Sequence, residues 1–294
     1  MKTTFRIKQP YNEIFEACAD QFVNISPVRP ERFIAKMKNN TGMARAIFGG
    51  LDENGLEAKN PLIVALGDSV TAGHFESIIT EEVKAAIEMY FGQLDAGARS
   101  SQNADLEKLS KPVEIFDARE SYIEKFRDLL IDKYELTSVS VINSGIAGDV
   151  LPSMIARADR DVIRYDPDLI VINGSLNWND DRMGDRNVYK EMLRSLIHKF
   201  KVETKADIIL VTANGDLPNT MVFKEAPIPT TYQRCEAIRE LAVEEQVCLA
   251  DVRAVWDLAK EKGCPWEELL ANGINHPSVE GHEVYAKVLM KLFE

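Results

Sequence analysis

The stretch LIVALGDSVTAG at residues 62–73 decides how the rest of the chain is interpreted. Its first five residues are apolar and suit a β-strand that is buried on both faces, as the strands of a parallel sheet are. The run ends in Gly67, Asp68 and Ser69, which places a hydroxyl at the carboxyl end of the strand. Open α/β sheets bind their ligands at that edge. Ser69 is therefore the first candidate functional residue.

Apolar runs and amphipathic patterns alternate along most of the chain. Further strands are predicted at 138–143, 169–173, 207–212 and 247–251. Apolar residues spaced three and four apart predict helices at 120–133, 188–200, 232–245 and 279–293. This alternation is typical of an α/β fold with right-handed crossovers. We expect a three-layer α/β/α arrangement around a central parallel sheet of about five strands.

Two segments fall outside this alternation. Residues 1–60 precede the first core strand and are expected to be an N-terminal extension packed on the core, while 61–294 form the main domain. Residues 75–117 form an insertion, with a helical pattern near 81–91 followed by a polar stretch. An insertion beside a site can be a lid or a binding loop, and it can equally be a solvated excursion. Both interpretations stay open.

Composition limits the classes of partner. The chain has 294 residues and a net charge of −12, which disfavours binding to nucleic-acid phosphates and to anionic membrane surfaces. Its four cysteines lack the short spacing of a zinc site, and they predict no disulfide framework. The first residues contain no apolar core of signal-peptide length, and no charge-free run reaches about 18 residues. The sequence thus predicts a cytoplasmic protein with a small-molecule substrate; its oligomeric state stays open.

A serine nucleophile needs a base within hydrogen-bond reach. The stretch around Ser69 is not the G-x-S-x-G elbow of α/β-hydrolases, because Thr71 occupies the second glycine position. Of the four histidines, His276 is the best base, since it precedes Pro277 in a loop before the last predicted helix. The others have plainer interpretations: a structural role for His282, the helix surface for His198 and the pocket wall or solvent for His74.

Acyl transfer also needs hydrogen-bond donors for the oxyanion. Gly148, in NSGIAGDV after the second strand, exposes its amide, and Asn177, in NGSLNWND after the third, carries a side-chain amide. Each alone is most simply a turn residue. Together, Ser69, Gly148, Asn177 and His276 follow four different strands in order and are expected to meet at one sheet edge.

These four blocks resemble those of SGNH hydrolases, the GDSL esterase/lipase superfamily. The likeness lies in GDSVTAG, NSGIAGDV, PDLIVINGSLNWND and HPSVEGH. It covers residues 62–294 apart from the insertion and implies the flavodoxin-like fold of that family. It also implies that Ser69 is the nucleophile and first oxyanion donor, Gly148 the second donor, Asn177 the third and His276 the base. No metal or organic cofactor is called for.

The chain departs from the family pattern at two places. The third block usually reads Gly-x-Asn-Asp, whereas Ser175 and Trp178 occupy the first and last of these positions, so Asn179 is the alternative donor. The histidine block usually has Asp three residues before His, and that position is Gly273. We therefore favour a Ser-His dyad whose imidazole is oriented by a neutral group. Asn272 is the neutral candidate, Asp251 is the charged alternative, and the third member of the site stays open.

The resemblance is strongest to carbohydrate esterases that remove acetyl groups, so a short acyl ester of a sugar is the expected substrate. Trp178 is expected either to stack on a sugar ring or to fill the core, and Phe75 to line the alcohol side. Two alternatives remain. One is an acyltransferase that uses the same Ser-His pair, and the other is a pseudoenzyme that binds esters or carbohydrates without catalysis.

Overall fold

The computed structural model describes residues 12–39, 60–77, 114–135, 138–178, 180–216, 231–264, 270–271 and 275–294. Within these ranges, five parallel strands form the main sheet: β1 (Leu62–Gly67), β4 (Ser140–Gly145), β5 (Leu169–Asn173), β6 (Asp207–Val211) and β7 (Cys248–Ala250). Their order in the sheet is β4-β1-β5-β6-β7. This is the flavodoxin-like order, in which the direction of winding reverses between the first strand and the third.

Helices lie on both sides of the sheet. They are α1 (Asn12–Gln21), α2 (Glu31–Asn39), α3 (Ser69–Ala72), α4 (Tyr122–Tyr134), α5 (Leu151–Asp161), α6 (Asp180–Met183), α7 (Arg186–Glu203), α8 (Thr231–Glu245), α9 (Val252–Glu261) and α10 (Val279–Met290). Short 3-10 turns cover Ala118–Glu120, Ile163–Tyr165 and Lys291–Phe293. The expected three-layer α/β/α architecture is confirmed.

The first strand shows why its sequence is apolar throughout. Ile63 and Ala65 belong to one hydrophobic cluster, while Val64 and Leu66 belong to the cluster on the opposite face. Successive side chains of a strand point to opposite faces, so a strand between two helical layers needs apolar residues at every position. The nucleophile candidate thus follows a strand that is fixed on both sides.

Some boundaries and elements differ from the sequence prediction. β4 runs two residues further than expected, to Gly145, because it pairs with the whole of β1, from Leu62↔Ser140 to Gly67↔Gly145. Helices α5 and α9 were not predicted. The signal for α9 was present, since Val252, Val255, Trp256 and Ala259 are buried at helical spacing.

The segment before β1 packs on the core where the structure describes it. Phe33, Ile34 and Met37 of α2 are buried in the same cluster as Ile63. Residues 24–26 run beside β7, the edge strand of the sheet. There the Asn24 side chain bonds to the Leu249 carbonyl at 2.7 Å and to the Asp251 amide at 3.0 Å. These bonds occupy polar groups that an edge strand otherwise exposes.

The insertion starts and ends as an antiparallel pair, β2 (His74–Ser77) with β3 (Glu114–Phe116). The predicted helical pattern near 81–91 lies outside the described residues. The lid or binding loop and the solvated excursion considered for the insertion also concern residues outside them. In the part of the chain that the structure describes, no helix combines the length and apolar character needed to cross a membrane.

Gly145, the last residue of β4, lies close to the backbone of the helix that begins at Ser69. A Cβ atom there would lie 2.2 Å from the Ala72 nitrogen, which is backbone and cannot rotate away. We predict that Gly145→Ala lowers the free energy of unfolding by about 3 kcal/mol or more, measured by urea denaturation.

Gly263→Ala is the matched control. Gly263 has φ +75° and nothing within 4 Å of the added Cβ, so only the left-handed conformation opposes the substitution. Its cost should be roughly 1–2 kcal/mol. Equal losses for the two variants would show that the Gly145 contact is not tight.

Candidate active site

Ser69 begins a helix directly after β1. Asp68 is the N-cap of α3, and its Oδ1 accepts a hydrogen bond from the Val70 amide at 3.0 Å. As the first helical residue, Ser69 has a backbone N–H with no partner inside the helix. The strand end therefore presents a hydroxyl and an amide donor on the same residue.

Gly67 lets the chain turn into this helix without a clash. A Cβ at Gly67 would lie 2.0 Å from Thr71 Oγ1 and 2.7 Å from the Asn173 carbonyl oxygen. The Thr71 hydroxyl is also hydrogen-bonded to the Tyr122 hydroxyl at 2.9 Å. The glycine of the Gly-Asp-Ser sequence thus serves close packing between strand, helix and neighbouring strand.

His276 lies within hydrogen-bond distance of Ser69. Its Nε2 lies 2.8 Å from Ser69 Oγ, although the two residues are 207 positions apart. For the hydroxyl to donate this bond, the imidazole must carry its proton on Nδ1. In that tautomer Nε2 is placed to accept the serine proton.

The loop that carries His276 is held by backbone bonds. The Ala271 amide donates to the His276 carbonyl at 2.8 Å, and Leu270 and Pro277 form an isolated antiparallel bridge. Asn214 adds a side-chain contact, because its Nδ2 donates to the Asn275 carbonyl at 3.0 Å. These bonds fix the residues on both sides of the imidazole.

Asn214, which follows β6, is itself held rigidly. Its backbone amide donates to the Tyr285 hydroxyl at 2.8 Å, and that hydroxyl donates to Asn214 Oδ1 at 2.8 Å. Both side chains are buried, and burial raises the pKa of Tyr285 well above its usual value. Neither residue was singled out from the sequence, since a lone Asn after a strand looks like a turn residue.

The two further candidate oxyanion donors, Gly148 and Asn177, lie in adjacent loops. Gly148 has φ +72° and nothing within 4 Å of where a Cβ would be, so the space on the side-chain face of this residue is open. Asn177 Nδ2 donates to the Asp149 carbonyl at 3.1 Å, which brings the loop after β5 against the loop after β4. A side-chain amide has two N–H donors, so this bond leaves the second for a ligand.

The other three histidines have contacts with other groups of the protein. His282 is fully buried; its Nδ1 accepts from the Tyr122 amide at 3.2 Å, and its Nε2 donates to the His74 carbonyl at 3.1 Å. Burial lowers the pKa of His282 to about 4, so the ring is neutral. The His74 ring packs edge-on against His276, with centroids 5.5 Å apart. His198 pairs with Glu245 on the surface.

Two candidates have contacts other than those proposed for them. Asp251 caps α9, and both of its carboxylate oxygens accept hydrogen bonds from Arg239, at 2.7 and 2.9 Å. These bonds do not involve His276. Trp178 is 5% exposed, and its indole N–H donates to the Gly184 carbonyl at 2.8 Å. Trp178 thus fills the core and has little surface for a sugar ring.

Three candidates cannot be placed in this way. Asn179 and Asn272 lie outside the described residues, as does Gly273. Phe75 lies in β2, and its side chain is likewise outside them. Within the ranges that the structure describes, no three His, Cys, Asp or Glu side chains are grouped to hold a metal ion.

The sequence profile of the GDSL-like lipase/acylhydrolase family matches residues 65–284. The chain belongs to this family. Members are carboxylic ester hydrolases of the SGNH type, and Ser69, Gly148, Asn177 and His276 all lie within the matched range.

Individual relatives of the GDSL-like family agree with this assignment. An acetylxylan esterase from Geobacillus stearothermophilus is 25% identical over 183 residues, which is 58% of this chain and 79% of that protein. A putative GDSL-like lipase from Parabacteroides merdae has a TM-score of 0.56 at 18% identity, covering 80% of this chain and 95% of that one. A variant of the Geobacillus acetyl xylan esterase Axe2 has a TM-score of 0.53 at 22% identity, covering 79% and 94%. At these identities the structural likeness shows the fold.

Asp68, next to Ser69, is an acidic residue with an unusual environment and an unusual pKa. It is fully buried, and its Oδ2 has no hydrogen-bond partner among the described residues. Desolvation is the main reason that the pKa of Asp68 is raised to about 6, and the bond from the Val70 amide opposes it. A carboxyl group with a raised pKa stabilises the fold below the pKa of the unfolded chain, and this contribution is lost as the pH rises through about 6.

Asp68→Asn removes this titration while an Asn can still cap the helix. The free energy of unfolding of Asp68→Asn minus that of the natural protein should increase by about 2 kcal/mol from pH 4 to pH 8, measured by urea denaturation. His282 titrates in both proteins, so its contribution cancels in the comparison. A difference that does not change with pH would mean that Asp68 keeps an ordinary pKa.

Asn214→Ala removes the side-chain bond to the loop of His276. We expect kcat to fall about tenfold or more, with KM changed less than about threefold, because the imidazole loses its position and the substrate contacts remain. Steady-state kinetics on p-nitrophenyl acetate measures both constants. The exposed Asn187→Ala is the control and should behave like the natural protein. Unchanged kcat in Asn214→Ala would show that the backbone bonds alone hold the loop.

Proposed function

We propose that this chain is a serine esterase that removes short acyl groups, acetyl first among them, from a carbohydrate or a similar small ester. The observation that carries the proposal is the 2.8 Å contact between Ser69 Oγ and His276 Nε2 at the carboxyl edge of the sheet. The candidate oxyanion donors are the amides of Ser69 and Gly148 and the side chain of Asn177, which follow the neighbouring strands β1, β4 and β5. The family assignment supplies the reaction class.

Acylation begins when His276 Nε2 takes the proton of Ser69 Oγ. The oxygen attacks the ester carbonyl carbon, and the carbonyl electrons move onto the oxygen to give a tetrahedral oxyanion held by the three donors. The imidazolium then gives its proton to the leaving alcohol oxygen as the C–O bond breaks. The product is an acyl-enzyme on Ser69 and a free alcohol.

Deacylation repeats these steps with water. His276 accepts a proton from a water molecule that attacks the acyl carbonyl, and the same donors hold the second oxyanion. When this intermediate collapses, Ser69 Oγ leaves and recovers its proton from the imidazolium. The products are a carboxylic acid and the free enzyme, so the proton balance closes.

A Ser-His dyad is compatible with the sequence at the histidine block. Gly273 supplies no carboxylate three residues before His276. The bonds from Ala271 and Asn214 orient the loop instead, through backbone carbonyls at 276 and 275. An imidazole that is oriented by neutral groups receives less electrostatic stabilisation of its charged form than one oriented by a carboxylate, and this lowers the rate without abolishing it.

The acetyl and carbohydrate parts of the proposal rest on resemblance. One relative is an acetylxylan esterase, and the histidine block HPSVEGH resembles that branch of the family. The net charge of −12 favours a neutral substrate over a polyanionic one. Acetylated xylo-oligosaccharides are therefore the first substrates to test.

Ser69→Ala should abolish acetate release from acetylated xylo-oligosaccharide while circular dichroism and thermal unfolding stay unchanged. The natural chain should react with a fluorophosphonate probe at Ser69, and Ser69→Ala should not, as determined by mass spectrometry of the labelled peptide. The natural chain should also have a higher kcat/KM for p-nitrophenyl acetate than for the octanoate.

Other results point to the alternatives. A chain that binds the oligosaccharide but neither reacts with the probe nor releases acetate is a binding module. Appearance of a new acetylated sugar when an acceptor is added identifies an acyltransferase. Full activity in Ser69→Ala would place the reaction at another site.

A further inference from the structure

The oxyanion site proposed above is assembled from three separate loops. Ser69 follows β1, Gly148 follows β4, and Asn177 follows β5. Donors stabilise a transition state only if their mutual positions are set before the reaction, since reorganisation during the step costs free energy. The structure must therefore contain contacts that hold these loops against one another.

One buried guanidinium bonds to the ends of the two strands that lead to Ser69 and Gly148. Arg157, on α5, is 6% exposed. Its Nη2 donates to the Gly67 carbonyl at 3.0 Å, two residues before Ser69. Its Nη1 donates to the Ser144 carbonyl at 2.8 Å, at the end of β4. The last residues of β1 and β4 thus share one planar group.

The same guanidinium reaches the other two donors through Asp149. Arg157 Nε donates to Asp149 Oδ2 at 2.8 Å, and Nη2 lies 2.6 Å from the same oxygen. Asp149 follows Gly148 directly, and its backbone carbonyl accepts the Asn177 amide at 3.1 Å. Asp149 Oδ1 also accepts from the Val150 amide at 3.0 Å. Arg157 and Asp149 therefore join all three loops.

Stability alone is a weak explanation for this ion pair. The Asp149 side chain is 3% exposed, and burying two charges costs about as much desolvation free energy as their attraction returns. Asp161 adds a second carboxylate, 3.0 Å from Arg157 Nη1. A planar guanidinium group that donates to fixed acceptors on two sides restricts the positions of these acceptors relative to one another. An apolar side chain cannot do this.

We propose that Arg157, through its ion pair with Asp149, is a positioning residue that sets the geometry of the oxyanion donors. This rests on the proposed assignment of Ser69, Gly148 and Asn177. Arg157 contacts no substrate in this account. It acts by fixing backbone carbonyls and the Asp149 loop, so its effect must pass through the donors themselves.

Arg157→Lys tests the proposal, because Lys keeps the charge but cannot bond to all these acceptors from one ammonium group. We expect kcat for p-nitrophenyl acetate to fall about 10- to 100-fold with KM changed less than about threefold. The control is Arg160→Lys on the same helix, where the side chain is 65% exposed, and it should leave both constants unchanged.

A double-mutant cycle with Asn177→Ala separates positioning from general damage. If Arg157 acts through the oxyanion donors, Arg157→Lys should cost less than about threefold in kcat once Asn177 is already Ala. Equal losses in both backgrounds, or parallel changes in kcat and KM, would overturn the proposal. So would unchanged kcat in the single variant.

If Arg157→Lys does not fold, as judged by circular dichroism, Asp149→Asn is the second variant that tests the role of Arg157. It retains the backbone carbonyl that Asn177 contacts but removes the charge that holds Arg157, so the same pattern of kcat loss and non-additivity is expected. Fluorophosphonate labelling of Ser69 in the natural chain distinguishes the two levels. A labelled Ser69 with additive variants contradicts only the role of Arg157, whereas an unlabelled Ser69 contradicts the proposed function itself.

Discussion

The hydrogen bond between Ser69 and His276 joins residues 207 positions apart, and the site depends on the fold that holds them together. The serine is fixed by a strand buried on both faces and by a helix capped at Asp68. The histidine is fixed from the other side by a loop bonded to itself and to Asn214. Because parallel strands end at one edge of the sheet, loops distant in sequence converge there.

The polar groups behind this bond are neutral or paired. Tyr285 and His282 are buried in uncharged forms, and Arg157 is paired with carboxylates. Asp68 is the exception, since burial disfavours its charged form while it lies beside the nucleophile. Burying this carboxyl group lowers the stability of the fold when the group is charged. Functional sites often contain such locally destabilising groups.

The sequence predicted the framework well because its signals are local. Apolar runs indicate buried strands, and the positions of Ser69, Gly148, Asn177 and His276 after the first, second, third and last predicted strands indicate a shared edge. The roles of Arg157 and Asn214 could not be predicted in this way, since each depends on carbonyl groups supplied by distant strands and loops. Trp178 shows the same limit. An indole beside an oxyanion loop fits either a ligand or the core, and only its contacts with Gly184 and Tyr189 favour the core.

A crystal structure of the chain after reaction with a fluorophosphonate tests the central claim most directly. The account predicts phosphorus bonded to Ser69 Oγ, with the phosphoryl oxygen within hydrogen-bond distance of the Ser69 and Gly148 amides and of Asn177 Nδ2. His276 Nε2 should remain next to Ser69 Oγ. Phosphorus on a different residue, or a phosphoryl oxygen that points to solvent away from these donors, would contradict it.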